Sequence, residues 1–109
     1  MSILLPHVMA YNLDKCRSGY SDLLLHLAGP ERYCSTPADH RAEKAVEVVT
    51  EFVASFAPYG LPMTLKDTGR VNPDQFRQVA ETAISDGAII VNPKAAGIPE
   101  ILTILKEAF

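Results

Sequence analysis

Three histidines, His7, His26 and His40, are the side chains best suited to hold a metal or move a proton near neutral pH. Their spacing argues against a shared site. They stand 19 and 14 residues apart, so no two share a helical turn, and none forms an HExxH-type pair with an acidic residue. His7 follows Pro6 in an apolar stretch and reads as a core or helix-end histidine with one hydrogen bond. His26 follows three leucines near a predicted helix end, where positive charge is favoured. His40 falls in the first turn of a long predicted helix and is expected to be solvated. Asp39, Glu43, Glu47 and Glu51 recur every four residues and therefore share one helix face. A metal site would need further ligands from other elements. With Arg41 and Lys44 interspersed, the wet side of an amphipathic helix is the simpler reading. Cys16 and Cys34 make no CxxC motif and have no histidine at ligand spacing, so a reduced chain is expected. The glycines form neither GxGxxG nor a P-loop, and no serine stands in GxSxG. Residue chemistry alone gives no active site.

Helices must position these side chains, because helical periodicity dominates the chain. In "STPADHRAEKAVEVVTEFVASF", Ala42, Ala45, Val46, Val49, Phe52, Val53 and Phe56 fall along one face. Thr36 is the expected N-cap, with Pro37 at the first helical position, and Pro58 and Gly60 stop the helix after about five turns. A second start signal is "VNPDQF": Asn72 caps, Pro73 opens the helix and Gln75 completes a capping box. Phe76, Val79, Ala80, Ala83 and Ile84 make its buried stripe, and Gly87 is expected to end it. The last helix, "IPEILTILKEAF", buries Ile101, Leu102 and Leu105. An earlier helix runs through "YSDLLLHLAG" to Gly29-Pro30. "AIIV", residues 88–91, is the one strand-like run, and it reads as a buried extended connector. The opening "ILLPHVMAYN" is apolar on nearly every side, as a helix buried all round would be, with Pro6 in an awkward place. The predicted architecture is all-α, a bundle of about five helices forming a single helical domain over residues 1–109.

The totals agree with a soluble helical protein. The chain has 109 residues, 48% hydrophobic and 21% charged, with a net charge of −3. Lys and Arg are scattered without a basic run, so no nucleic-acid footprint exists. The opening stretch is too short to span a bilayer and lacks the basic start of a signal peptide, which leaves the cytoplasm as the expected location.

Four landmarks resemble the iron-containing (group III) alcohol dehydrogenases. "ILLPHVMAYN" is similar to the segment that closes their metal-binding helix region. "YGLPMTLKDTG", Tyr59 to Gly69, resembles the family's "lGiP-tsLrelGv" turn, and "AISDGAIIVNPK", Ala83 to Lys94, resembles its "A-xDg-xxxNPr" stretch. "IPEILTILKEAF" matches its closing amphipathic helix. Each motif alone is weak, but they come in family order across essentially the whole chain.

The resemblance implies a helical fold of the dehydroquinate synthase-like type. In that family an N-terminal α/β domain binds NAD(P), and a helical C-terminal domain holds Fe²⁺, or sometimes Zn²⁺, through one aspartate and three histidines. The metal polarises the alcohol or aldehyde oxygen during hydride transfer. Those four ligands precede the "LLPHVM" stretch, so none is carried onto His7. The resemblance therefore implies a C-terminal helical fragment that lacks metal ligands, nucleotide site and catalytic residues of its own. The missing N-terminal domain of the parent enzyme is its implied partner. Ala88 matches a position that edges the substrate pocket in some members, while Gly97 stands where many have a capping threonine and Lys94 where arginine is usual. Two other readings compete: a fragment of a maleylacetate reductase, and a stand-alone helical interaction module. Exposed apolar surface, with self-association, is expected on both the fragment and the module readings.

Overall fold

The computed structural model describes residues 1–109 and contains five α-helices, five short 3₁₀ turns and no strand. The helices are α1 (Leu5–Ala28), α2 (Pro30–Ser35), α3 (Arg41–Ala54), α4 (Phe76–Ile84) and α5 (Ile98–Ala108). The all-helical expectation holds. The α1 and α3 helices pack along one another, α4 packs on α5, and α5 returns to α1.

The opening stretch and the "YSDLLLHLAG" helix are one element. Pro6 lies in the first turn of α1, where its missing N–H costs nothing, so the expected awkwardness does not arise. The break in α1 comes later, at Cys16, whose φ of −122° and ψ of 16° leave the helical region. The Ser18-Gly19 pair, a common companion of helix kinks, follows in the next turn. Nor is the stretch buried all round. Met9 is covered, but Leu5 and Val8 are exposed.

Several helix boundaries differ from the sequence expectation for identifiable reasons. Gly29 closes α1 at φ 88°, ψ 167°, a conformation open essentially to glycine alone, and Pro30 then starts α2, a helix the sequence pattern does not reveal. Thr36 does not cap α3. Its hydroxyl points backwards and donates to the Arg32 carbonyl (2.8 Å), closing α2 instead. Residues Ala38–His40 form a 3₁₀ turn, so α3 begins at Arg41, and it ends at Ala54 before Pro58 is reached. The α3 helix thus has 14 residues, about four turns rather than five. The capping box at Asn72 is present: Asn72 Oδ1 accepts from the Asp74 N–H (3.0 Å), and the Asn72 N–H donates to Gln75 Oε1 (3.2 Å). It caps a 3₁₀ turn, Pro73–Gln75, that leads into α4. Gly87 does not end α4, which stops at Ile84; it opens the 3₁₀ turn Gly87–Val91. "AIIV" is accordingly neither extended nor buried, with Ile90 82% and Val91 79% exposed. Asp86 causes this, since its side chain accepts from the Ala88 N–H (2.8 Å) and caps the turn.

Burial is thin. Only nine residues are buried, and the surface of 7103 Å² exceeds the about 6,000 Å² usual for a folded monomer of this mass. The radius of gyration, 15.3 Å, likewise exceeds the about 13 Å of a compact domain of this length. The predicted stripes are buried only in part. Ala42 and Ala45 are covered on α3, yet Phe52 is 64% exposed and stacks edge-on against Phe56, itself exposed. On α4, Phe76 and Ala80 are buried, while Val79 and Ile84 are not.

Of the four carboxylates on one face, Asp39, Glu47 and Glu51 are solvated as expected, whereas Glu43 is half-buried against α1 with its Oε2 covered and without a partner. Glu43 pairs with Arg17 of α1, Glu47 with Lys44 (3.2 Å), Glu51 with Arg32 of α2 (3.1 Å), and Asp39 lies near His40 (3.8 Å). The Arg17 hydrogen bond holds the Glu43 carboxyl below its ordinary value. A depressed folded value means that the pair stabilises the fold above the ordinary carboxylate range and that this contribution is lost as pH falls through the folded value. The stability difference between the wild-type chain and Glu43→Gln should therefore be present at pH 7 and shrink in acid. Thermal unfolding across pH 2–7 measures it, and a difference that does not change with pH would contradict the assignment.

Candidate functional site

The most constructed polar arrangement joins α1 to the loop that follows the Gly87–Val91 turn. Asn12 is the only polar residue in the buried set, 6% exposed. Its Nδ2 donates to Asn92 Oδ1 (3.0 Å), and Asn92 Nδ2 donates to Asn12 Oδ1 (2.9 Å), so the two amides close a ring. Asn92 Nδ2 also donates to the Lys94 carbonyl (2.5 Å). One turn of α1 supplies flanking contacts. The Tyr11 hydroxyl donates to the Ala95 carbonyl (2.5 Å), the Lys94 ammonium lies 4.5 Å from the Tyr11 ring centre, and it pairs with Asp14 (3.3 Å). Burial pushes the Asp14 carboxyl up, but hydrogen bonding and charge from Lys94 outweigh that and leave it lowered. Both asparagines sit inside stretches singled out from the sequence, yet their partnership across 80 residues had no signal in either one.

Ala88 lies on the exposed turn just before this loop, with its N–H held by Asp86. Its small side chain brings no reactive group, and any role there is one of shape.

His7 and Tyr11 line a cleft of about 380 Å³ between α1 and α5, facing Glu100, Thr103, Ile104 and Glu107. The single hydrogen bond expected of His7 is not formed; the ring is half-buried at the cleft instead. Glu100 is occupied at the start of α5, where its Oε2 accepts from the Gly97 N–H (2.8 Å), so the last helix is capped from its own first turn. His26 occupies the last turn of α1, as expected, and His40 is exposed beside Asp39. The structure brings none of the three histidines together. No group of three or more His, Cys, Asp or Glu side chains converges anywhere, so the donors of this chain do not fit a resident iron or zinc ion. Cys16 and Cys34 are unpaired.

A second cleft, about 740 Å³, lies in the "YGLPMTLKDTG" region and is lined by Leu61, Met63, Asp67 and Arg70 among others. Gly60 makes that turn possible at φ 88°, ψ 8°, a left-handed conformation that a side chain would disfavour. Thr64 and Asp67 then cap each other's backbone N–H groups (3.2 Å each), and the Leu65 N–H between them donates to the Ala108 carbonyl (2.8 Å), which ties the turn to the end of α5. No helix is long and apolar enough to cross a membrane.

Known proteins are similar to this chain in both sequence and fold. The model of the Fe-containing alcohol dehydrogenase family, C-terminal part, matches residues 1–109. The chain is 33% identical over 108 residues to a 1,3-propanediol dehydrogenase of Klebsiella pneumoniae, covering 99% of this chain and 26% of that protein. It is 32% identical to the corresponding enzyme of Citrobacter freundii, with the same coverage. A solved 1,3-propanediol oxidoreductase structure superposes with a TM-score of 0.84 at 30% identity, over 99% of this chain and 27% of that one. The chain thus spans about a quarter of the length of the relatives it matches.

Proposed function

The chain belongs to the Fe-containing alcohol dehydrogenase family, and we propose that it serves as the C-terminal helical part of an enzyme that interconverts a short alcohol and its aldehyde by hydride transfer with NAD(P). The observation that carries this reading is the family match along the entire chain together with the shared fold. The named activity of both curated relatives supports an alcohol dehydrogenase over a maleylacetate reductase.

On this reading the division of labour is spatial. The parent's preceding part supplies the nucleotide site and the Fe²⁺ or Zn²⁺ ligands. This chain supplies wall and support, with Ala88 at the edge of the substrate pocket. The surplus of exposed surface fits such a part, because Phe52, Tyr59, Ile90 and Val91 offer apolar area that an N-terminal domain can cover. The cytoplasm is the proposed location.

Metal and nucleotide titrations of the 109-residue chain test the assignment. Neither Fe²⁺ nor Zn²⁺ should bind stoichiometrically, and NADH fluorescence should be unchanged by the chain. Stoichiometric iron at micromolar affinity would overturn the division of labour.

A further inference from the structure

We propose that Asn12 and Asn92 form a positioning clasp that sets the Gly87–Val91 turn against α1. The polarity of the ring is determined by its surroundings. Asn92 Nδ2 spends one hydrogen on the Lys94 carbonyl and the other on Asn12 Oδ1, which leaves Asn92 Oδ1 to accept from Asn12. Neither amide can flip without placing two oxygens or two N–H groups face to face. A buried amide without partners is costly, so the ring is closed or the loop leaves. The loop has few other tethers. Its 3₁₀ turn holds itself by short-range bonds, Ile89 N–H to the Asp86 carbonyl and Asn92 N–H to the Ile89 carbonyl (3.2 Å each), and its apolar residues Ile90 and Val91 face outward. The turn also packs against the preceding helix α4 with Ile89 half-buried, and the amide ring, flanked by Tyr11–Ala95 and Asp14–Lys94, is what joins it to α1. The consequence for substrate rests on the reading of Ala88 as a pocket edge, but the mechanical claim does not.

Asn12→Asp separates a clasp from general support. In its protonated form the introduced carboxylic acid is isosteric with the asparagine amide and restores both bonds, its O–H donating to Asn92 Oδ1. In its ionised form the carboxylate turns an acceptor oxygen against Asn92 Oδ1 and opens the ring. The titratable groups nearby are Tyr11, Asp14, Lys15 and Lys94, with His7, Glu100 and Glu107 at the adjoining cleft and Arg17–Glu43 on the α3 side. They are common to the wild type, Asn12→Ala and Asn12→Asp, so all three chains are compared at pH 3 and pH 8. The readout is amide hydrogen exchange, expressed as protection relative to the free-chain rate. Asn12→Ala should lose at least about tenfold protection at Ile89 and Asn92 at both pH values, with α3 amides unaffected. Asn12→Asp should resemble the wild type at pH 3, below the ordinary aspartate range, and Asn12→Ala at pH 8. The proposal is overturned if Asn12→Ala keeps wild-type protection in the turn, if α3 loses protection equally, or if Asn12→Asp shows no recovery in acid. Exchange needs no turnover, so these outcomes stand apart from whether the dehydrogenase reading holds.

Discussion

Phe76→Ala should cost about 3–5 kcal/mol, the usual range for removing a buried phenylalanine. Phe76 is 4% exposed and opens α4 directly after the Asn72 capping box, whose local bonds fix how the chain enters that helix. It meets Phe109 edge-on, with ring centres 5.7 Å apart, an arrangement worth about 0.5–1.5 kcal/mol beyond burial. The other buried residues of α4 and α5, which pack on one another, are small or aliphatic: Ala80, Leu105 and Ala108. None of these is large enough to fill the space that a missing ring would leave. Natural domains have only about 5–15 kcal/mol in total, so the variant should lose a large share of its stability. Urea unfolding measures it as a lower midpoint with an unchanged slope. Phe109→Ala should cost less, since Phe109 is half-buried, and the double variant should show coupling between the rings. A loss below about 1 kcal/mol for Phe76→Ala would contradict the packing described.

Leu24→Ala should have the next largest effect, about 2–5 kcal/mol. Leu24 is the one large side chain that is fully buried, at 0% exposure, on the helix that packs along α3. Its sequence neighbours make an internal control. Leu23 and Leu25 are each 37% exposed and Leu27 is 46% exposed, so an alanine at Leu25 keeps much of its former contact with water. The expected loss at Leu25 is about 1 kcal/mol, in the ordinary range for incompletely buried sites. Comparable losses at Leu24 and Leu25 would mean that α1 turns a different face to α3.

These leucines also show why the sequence was only partly legible. Three in a row satisfy every helix face equally, and only tertiary packing selects Leu24. Element types were readable where local chemistry settles them. Asn72 caps with Gln75, three residues on, and both helix starts lie at or close to their expected places; at Gly97, where a capping threonine is missing, Glu100 supplies the cap instead. Boundaries failed where one residue had two available roles. The Thr36 hydroxyl can cap forwards or close the preceding turn, and the Arg32 carbonyl decides the matter. "AIIV" is strand-like by itself, yet the Asp86 side chain just before it caps a 3₁₀ turn there. The stripe of α3 was correctly placed, but the exposure of Phe52 and Phe56 depends on what else covers that face. Family membership was readable from the four stretches in order, and the full-length family match agrees with it. The Asn12–Asn92 ring was not readable, because nothing in either stretch names a partner 80 residues away.

The central claim is that this chain forms the C-terminal support of a dehydrogenase while the reacting groups come from the preceding part. The direct measurement is turnover of a chimera in which this chain replaces the matching final quarter of the Klebsiella pneumoniae 1,3-propanediol dehydrogenase. After loading with Fe²⁺, the chimera should oxidise 1,3-propanediol with reduction of the nicotinamide cofactor. A chimera that folds and binds nucleotide and metal, yet shows no turnover, would contradict the claim.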